Sequence, residues 1–187
     1  MKRIVMKSGP WSLALVVVGV AVLACGAPAS GQVDCAHLPQ WTNFPHPPQV
    51  NQEHIFCGEW SGVRPKGFHS RPGGLNPATV GAFAITQAAN GQGIYGGTWS
   101  YAGHPGVTKF STMYPDACSV AEVLKSIVYA AQNHIVCPPG APAWAWCGYN
   151  RPNGGAATYC DSTDHTRYVI AGADDADGDV NTAFPLR

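Results

Sequence analysis

The apolar positions of this chain follow three different rhythms. From Trp11 to Ala24 they run together, broken only by Ser12 and Gly19, behind a basic start of Lys2, Arg3 and Lys7. Between Ser119 and Asn133 they return at helical spacing, with Val120, Val123, Leu124, Ile127, Val128 and Ala131 on one face. Ser119 and Glu122 make a capping box at its start, and Pro138-Pro139 blocks continuation, so 119–133 is predicted as a helix. Elsewhere the β-formers come in short runs between Gly, Pro, Asn and Asp. Ile94–Tyr101, Val107–Phe110, Ala143–Cys147, Ala157–Cys160, Arg167–Ala171 and Val180–Phe184 are predicted as strands. The last two flank Asp174–Asp179 and form a hairpin, with the Asp-rich stretch as its turn rather than a calcium loop. Gln52–Cys57 starts a short ordered element, Gly58–Gly74 reads as loop, and Thr79–Ala89 fits a helix or a strand. Short antiparallel strands around one helix make an α+β fold.

The first apolar run is too short for a membrane span, which needs about 18 residues. Followed by Ala27-Pro28-Ala29, it reads as a secretory signal peptide over residues 1–31, cleaved after Ala29 or Gly31. Val22-Leu23-Ala24-Cys25 also resembles a lipobox, so a lipoprotein anchored through Cys25 is the second reading. Residues 32–52 carry Trp41, Phe44, Pro45, Pro47 and Pro48 without a period and are expected to form an irregular arm ahead of one domain, 53–187.

Composition narrows the class. Of eleven basic residues Lys2, Arg3 and Lys7 lie in the leader, so eight face eleven acidic ones, a formal −3. That disfavours a sequence-blind nucleic-acid coat, but not an enzyme that grips one or two phosphates. Beyond Cys25 stand Cys35, Cys57, Cys118, Cys137, Cys147 and Cys160. An even count on an exported chain predicts three disulfides, and the sequence does not choose among the 15 pairings. A secreted or periplasmic, monomeric protein without a transmembrane segment is expected.

Two of the seven histidines stand in distinctive settings: His54 in Glu53-His54-Ile55-Phe56-Cys57-Gly58-Glu59, and His69 in Lys66-Gly67-Phe68-His69-Ser70. His37, His46, His104, His134 and His165 lack such settings, with His134 expected at the end of the helix. No carboxylate or third histidine at ligand spacing accompanies the pair, so no metal is assigned to it.

These two segments resemble the paired-histidine signature of EndoU-type endoribonucleases, above all the bacterial EndoU domains found in secreted and contact-delivered toxins. The coronavirus uridylate-specific endoribonuclease belongs to the same family. The family's third catalytic residue, a strand lysine downstream, matches Lys109 in Val107-Thr108-Lys109-Phe110-Ser111, and its closing strand matches Thr182-Ala183-Phe184-Pro185. Phe184 stands where many relatives have Tyr, and the six cysteines are not a general family feature.

The resemblance implies a cleft between short antiparallel sheets, stapled here by disulfides. In it His69 would be the base and His54 the acid, or the two exchanged, with Lys109 as the electrostatic stabiliser. Thr182 and Phe184 would receive a uracil, and Ser70 and Ser111 could touch phosphate. The substrate would be single-stranded RNA, cut at uridines to a 2′,3′-cyclic phosphate and a 5′-OH. DNA is excluded for want of the 2′-OH. No cofactor would be required, although manganese could stimulate, and a toxin would call for an immunity protein as partner. The residue types suit that chemistry in their own right: two imidazoles titrate near neutrality and one ammonium can meet charge on phosphorus. The rival reading is a secreted disulfide-rich binding module, an inhibitor, adhesin or lectin-like domain, that has no catalysis.

Overall fold

The computed structural model describes residues 31–155 and 157–187; Cys25 and all but Gly31 of the expected signal peptide lie outside them. In chain order come a short helix α1 (Gln52–Phe56), a hairpin of β1 (Glu59–Ser61) and β2 (Arg64–Lys66), and three strands β3 (Val80–Gln87), β4 (Tyr95–Tyr101) and β5 (Thr108–Met113). The longer helix α2 (Val120–Gln132) follows, then β6 (His134–Ile135), β7 (Trp146–Tyr149), β8 (Val169–Asp174) and β9 (Val180–Pro185). The strands form three antiparallel sheets in sequential order: β1-β2, β3-β4-β5 and β6-β7-β8-β9. The fold is α+β.

α2 forms as its pattern dictates. Ser119 Oγ accepts the Glu122 N–H and the Glu122 carboxylate accepts the Ser119 N–H, so two otherwise orphaned donors are satisfied. Val123, Leu124 and Ile127 turn inward against Ile170 and Val180 of the four-stranded sheet. The approach is close: a Cβ at Gly148 of β7 would lie 2.2 Å from the Ala130 carbonyl oxygen. This first core also takes in Val50, Ile55 and Phe56. A second core sits on one face of the three-stranded sheet, where Phe68, Tyr95, Trp99 and Met113 pack together.

Thr79–Ala89 resolves as a strand. β3 is an edge strand and mostly exposed, so its burial carries no clean alternation and its period was ambiguous. The Gly58–Gly74 stretch is a correction, since it holds the β1-β2 hairpin and a 3-10 turn at Pro72–Gly74. Ala157–Cys160 is another: that segment is turn and bend rather than strand. Its backbone is claimed by other partners. The Cys160 N–H donates to Ser126 Oγ, and its carbonyl accepts from Asn150 Nδ2 and Tyr168 Oη. His134 opens β6 instead of closing the helix, and its ring stacks on Trp146 at 5.5 Å. Asp174 ends β8, and Asp175–Asp179 is the turn of the β8-β9 hairpin, closed by the Asp175 N–H on the Asp179 carbonyl at 2.8 Å.

The six cysteines pair as Cys35–Cys57, Cys118–Cys160 and Cys137–Cys147, with Cα separations of 5.8, 5.1 and 5.1 Å. The first ties the N-terminal arm to the end of α1, the second ties the start of α2 to the segment before β8, and the third closes the β6-β7 connection. The arm joins the sheet as well. Val50 bridges Val180 in parallel and is fully buried.

Candidate active site

α1 and the segment that follows β2 bring the two histidines together. The Phe68 N–H donates to the His54 carbonyl at 2.7 Å, and the His69 N–H donates to the Ile55 carbonyl at 2.7 Å. The chain can lie this close because Gly67 has φ +70° and no side chain; a Cβ there would stand 2.1 Å from the His54 carbonyl oxygen. Phe68 also adopts a left-handed φ of 58°, a conformation that costs about 1–3 kcal/mol in a non-glycine residue. Burial of its ring against Trp99 and Phe83, at 5.2 and 5.8 Å, offsets that cost. The His54 and His69 ring centroids end 6.2 Å apart.

Each ring has its Nδ1 spoken for. His69 Nδ1 lies 3.0 Å from the Thr112 carbonyl oxygen. A carbonyl only accepts, so Nδ1 carries the hydrogen and neutral His69 keeps its lone pair on Nε2. Burial, then the charges of Lys109 and His54, hold the His69 pKa well below the usual imidazole value. His54 Nδ1 lies 2.8 Å from the Glu59 carboxylate, and Glu59 in turn is held below its usual range, first by this hydrogen bond. The carboxylate is the counter-charge of the His54 ring when that ring holds a second proton.

Lys109, on β5, completes the group. Its Nζ donates to Ser111 Oγ at 2.7 Å and to the Gly67 carbonyl at 3.1 Å. Ser111 Oγ accepts from Trp99 Nε1 and donates to the same carbonyl, so the serine is a buried hub that aims the lysine. Burial, and next the nearby Arg64 charge, lower the Lys109 pKa to about 8.

His54, His69 and Lys109 line one hollow of about 360 Å³, with Ser111, Thr182 and Phe184. Each histidine is only 6% exposed, and that exposure opens here. β9 brings Phe184 to 5.3 Å from the His69 ring in a near-parallel stack. Ser70 does not reach the hollow. It is 1% exposed, and its hydroxyl has no partner among the described residues. Sequence reasoning missed Glu59, Lys66, Thr112 and Trp144. Glu59 stood inside the quoted motif, whereas Thr112 acts through its carbonyl, which any residue carries. Trp144, 61% exposed, lies 6.0 Å edge-on from Phe184 and lines the same hollow. Among the described residues no cluster of three or more His, Cys, Asp or Glu is arranged to hold a metal ion.

A family model described as bacterial EndoU nuclease matches residues 48–187. The chain belongs to the bacterial EndoU nuclease family. No curated protein and no solved structure matches it. Membership in this nuclease family makes nucleic acid the substrate, and it covers both histidines, Lys109 and the closing strand of this EndoU chain. No helix among the described residues is long and apolar enough to cross a membrane, and three disulfides agree with an oxidising compartment outside the cytoplasm.

Proposed function

We propose that this EndoU protein is an endoribonuclease that cleaves single-stranded RNA at uridines by internal transesterification. The observation that carries the reading is the convergence of two differently partnered imidazoles and one ammonium on a single hollow. His69, neutral and with a lone pair on Nε2, takes the proton from the 2′-OH. The 2′-oxygen attacks the adjacent phosphorus, and the bond from phosphorus to the 5′-oxygen breaks. His54, backed by Glu59, delivers a proton to that leaving oxygen. Lys109 meets the negative charge that builds on the phosphoryl oxygens. The products are a 2′,3′-cyclic phosphate and a 5′-OH, and the step balances without metal or water. Thr182 offers a hydrogen bond to the base edge, and Phe184 a face for stacking, which is worth about 1–3 kcal/mol per base. Export of the chain and a toxin role, guarded by an immunity protein, belong to the same reading.

Incubating the oxidised domain with a uridine-containing oligonucleotide should yield cyclic-phosphate ends, and the same oligonucleotide in DNA should stay intact. His54→Ala, His69→Ala and Lys109→Ala should each lower kcat/KM by about 100-fold or more, the scale for general acid–base and charge-stabilising groups. Undiminished cleavage by all three would remove the assignment. A folded, oxidised protein that cuts no RNA would favour the binding-module reading.

A further inference from the structure

The central hollow has a neighbour at each end. On one side a hollow of about 260 Å³ is lined by Arg64, Pro65, Lys66, Thr108 and Lys109, and shares Lys66 and Lys109 with the centre. Three cations line it and no carboxylate does. Among the described residues none of the three makes an ion pair, although Glu59 faces Lys66 across the hairpin. Like charges brought together without a counter-ion raise each other's energy, and an anion relieves that. The effect of Arg64 on the Lys109 ammonium is one sign of it. On the other side a hollow of about 490 Å³ shares Thr112 and Phe184 with the centre and carries Arg167 and Arg187 at its edge. Pro138, Pro139 and Pro142 form a rigid apolar wall there. The guanidinium carbon of Arg167 lies over Tyr149, 3.9 Å from the ring centre, which helps hold the group in place. Five cations thus line hollows that share walls with the site, Lys66 and Lys109 on one side and Arg167 and Arg187 beyond Thr112 and Phe184 on the other, with Arg64 beside the first two.

The polarity of a strand across these hollows follows from the two imidazoles. This step rests on the ribonuclease reading above. The nucleotide that gives up its 2′-OH must sit beside the base, His69, whose ring stacks with Phe184. The departing 5′-oxygen must sit beside His54, whose partner Glu59 is on the β1-β2 hairpin, the element that carries Arg64 and Lys66.

We propose that the three hollows form one groove that reads an RNA strand of at least three nucleotides with a defined direction. The phosphate 3′ of the departing nucleotide sits in the Arg64–Lys66 hollow, and the nucleotide 5′ of the cleaved uridine lies past Phe184 against the proline wall, its phosphate near Arg167 and Arg187. The substrate is therefore a flexible strand rather than a dinucleotide or a free cyclic nucleotide.

The test uses the oxidised protein and five substrates, all 2′-O-methylated except at the uridine: UpA, UpApA, ApUpA, and each trinucleotide's counterpart with a neutral methylphosphonate at the extra linkage. Each charged extension should raise kcat/KM by about tenfold, the usual scale for a charge-assisted contact, mainly through KM. Each gain should shrink with the neutral linkage and with added salt. Arg64→Ala should abolish most of the 3′ gain and spare the 5′ gain; Arg167→Ala should do the reverse. Equal rates for UpA and both trinucleotides would overturn the groove, and so would gains that survive the neutral linkage or respond to the opposite arginine. Failure to cut any of the substrates would instead sink the ribonuclease reading and take the groove with it.

Discussion

At the scale of single residues the site works by giving similar groups unlike surroundings. Both histidines are nearly buried, yet one Nδ1 meets a neutral carbonyl and the other a carboxylate. His69, with a depressed pKa, stays uncharged in the fold, while in the unfolded chain it binds a proton below about pH 6.5. Above that pH both states are neutral and the group contributes no pH dependence. As pH falls through it the unfolded state gains protons first, so stability drops. Thermal melts between pH 6.5 and 5 should show that slope, and His69→Gln should flatten it; identical slopes would contradict a buried neutral ring. Lys109 gives the opposite limb in catalysis. Its pKa of about 8 leaves the ammonium charged at neutrality and discharges it as the medium turns alkaline. The rate should fall through about pH 8, and Lys109→Arg, always charged, should move that limb upward in whatever activity it retains. An alkaline limb unmoved by the arginine would assign it to another group.

At the scale of elements, the decisive joint is the one between α1 and the 67–70 segment. It couples backbone hydrogen bonds to a left-handed pair, Gly67 and Phe68, braced by the second core. Gly67→Ala adds a methyl onto the His54 carbonyl and strains φ, so it should cost about 1–3 kcal/mol and pull the imidazoles apart. Denaturant melts and kcat should fall together, and an active variant of unchanged stability would show the joint to be soft. α2 was readable from its capping box and apolar stripe because a helix writes its partners three and four residues apart. β3 was not, because an edge strand of a small sheet has little buried face to mark its period. The β1-β2 hairpin escaped for a related reason: three-residue strands are shorter than any pattern that distinguishes them from loop.

At the scale of the whole molecule, three crosslinks hold two modest cores beside the hollow that carries the site. The Cys118–Cys160 bond closes 42 residues and the Cys35–Cys57 bond 22, worth about 4 and about 3 kcal/mol in the loop-closure account. Reduction should therefore lower the denaturant midpoint sharply and cut activity with it. The Cys118→Ser, Cys160→Ser double variant should by itself reproduce the largest single share of that loss, because it opens the longest loop; equal stability of reduced and oxidised protein would dismiss the disulfides as ornaments of the fold. The residue types, their order and their local turns were set down in the chain: the paired histidines among glycines, the later strand lysine, the Thr-x-Phe ending, the even cysteines and the capped helix. Those features are encoded within a few residues of one another, where pattern and propensity act. Tertiary structure alone decided which cysteine met which, that Ser70 is sealed away while Ser111 aims Lys109, and that a backbone carbonyl at Thr112 chooses the His69 tautomer. It also set Arg64 and Arg167 in two separate hollows, each sharing residues with the central one. The Cys118–Cys160 bond spans 42 residues, the His69–Thr112 contact 43 and the Ser111–Gly67 contact 44, and no local pattern records a partner at that distance.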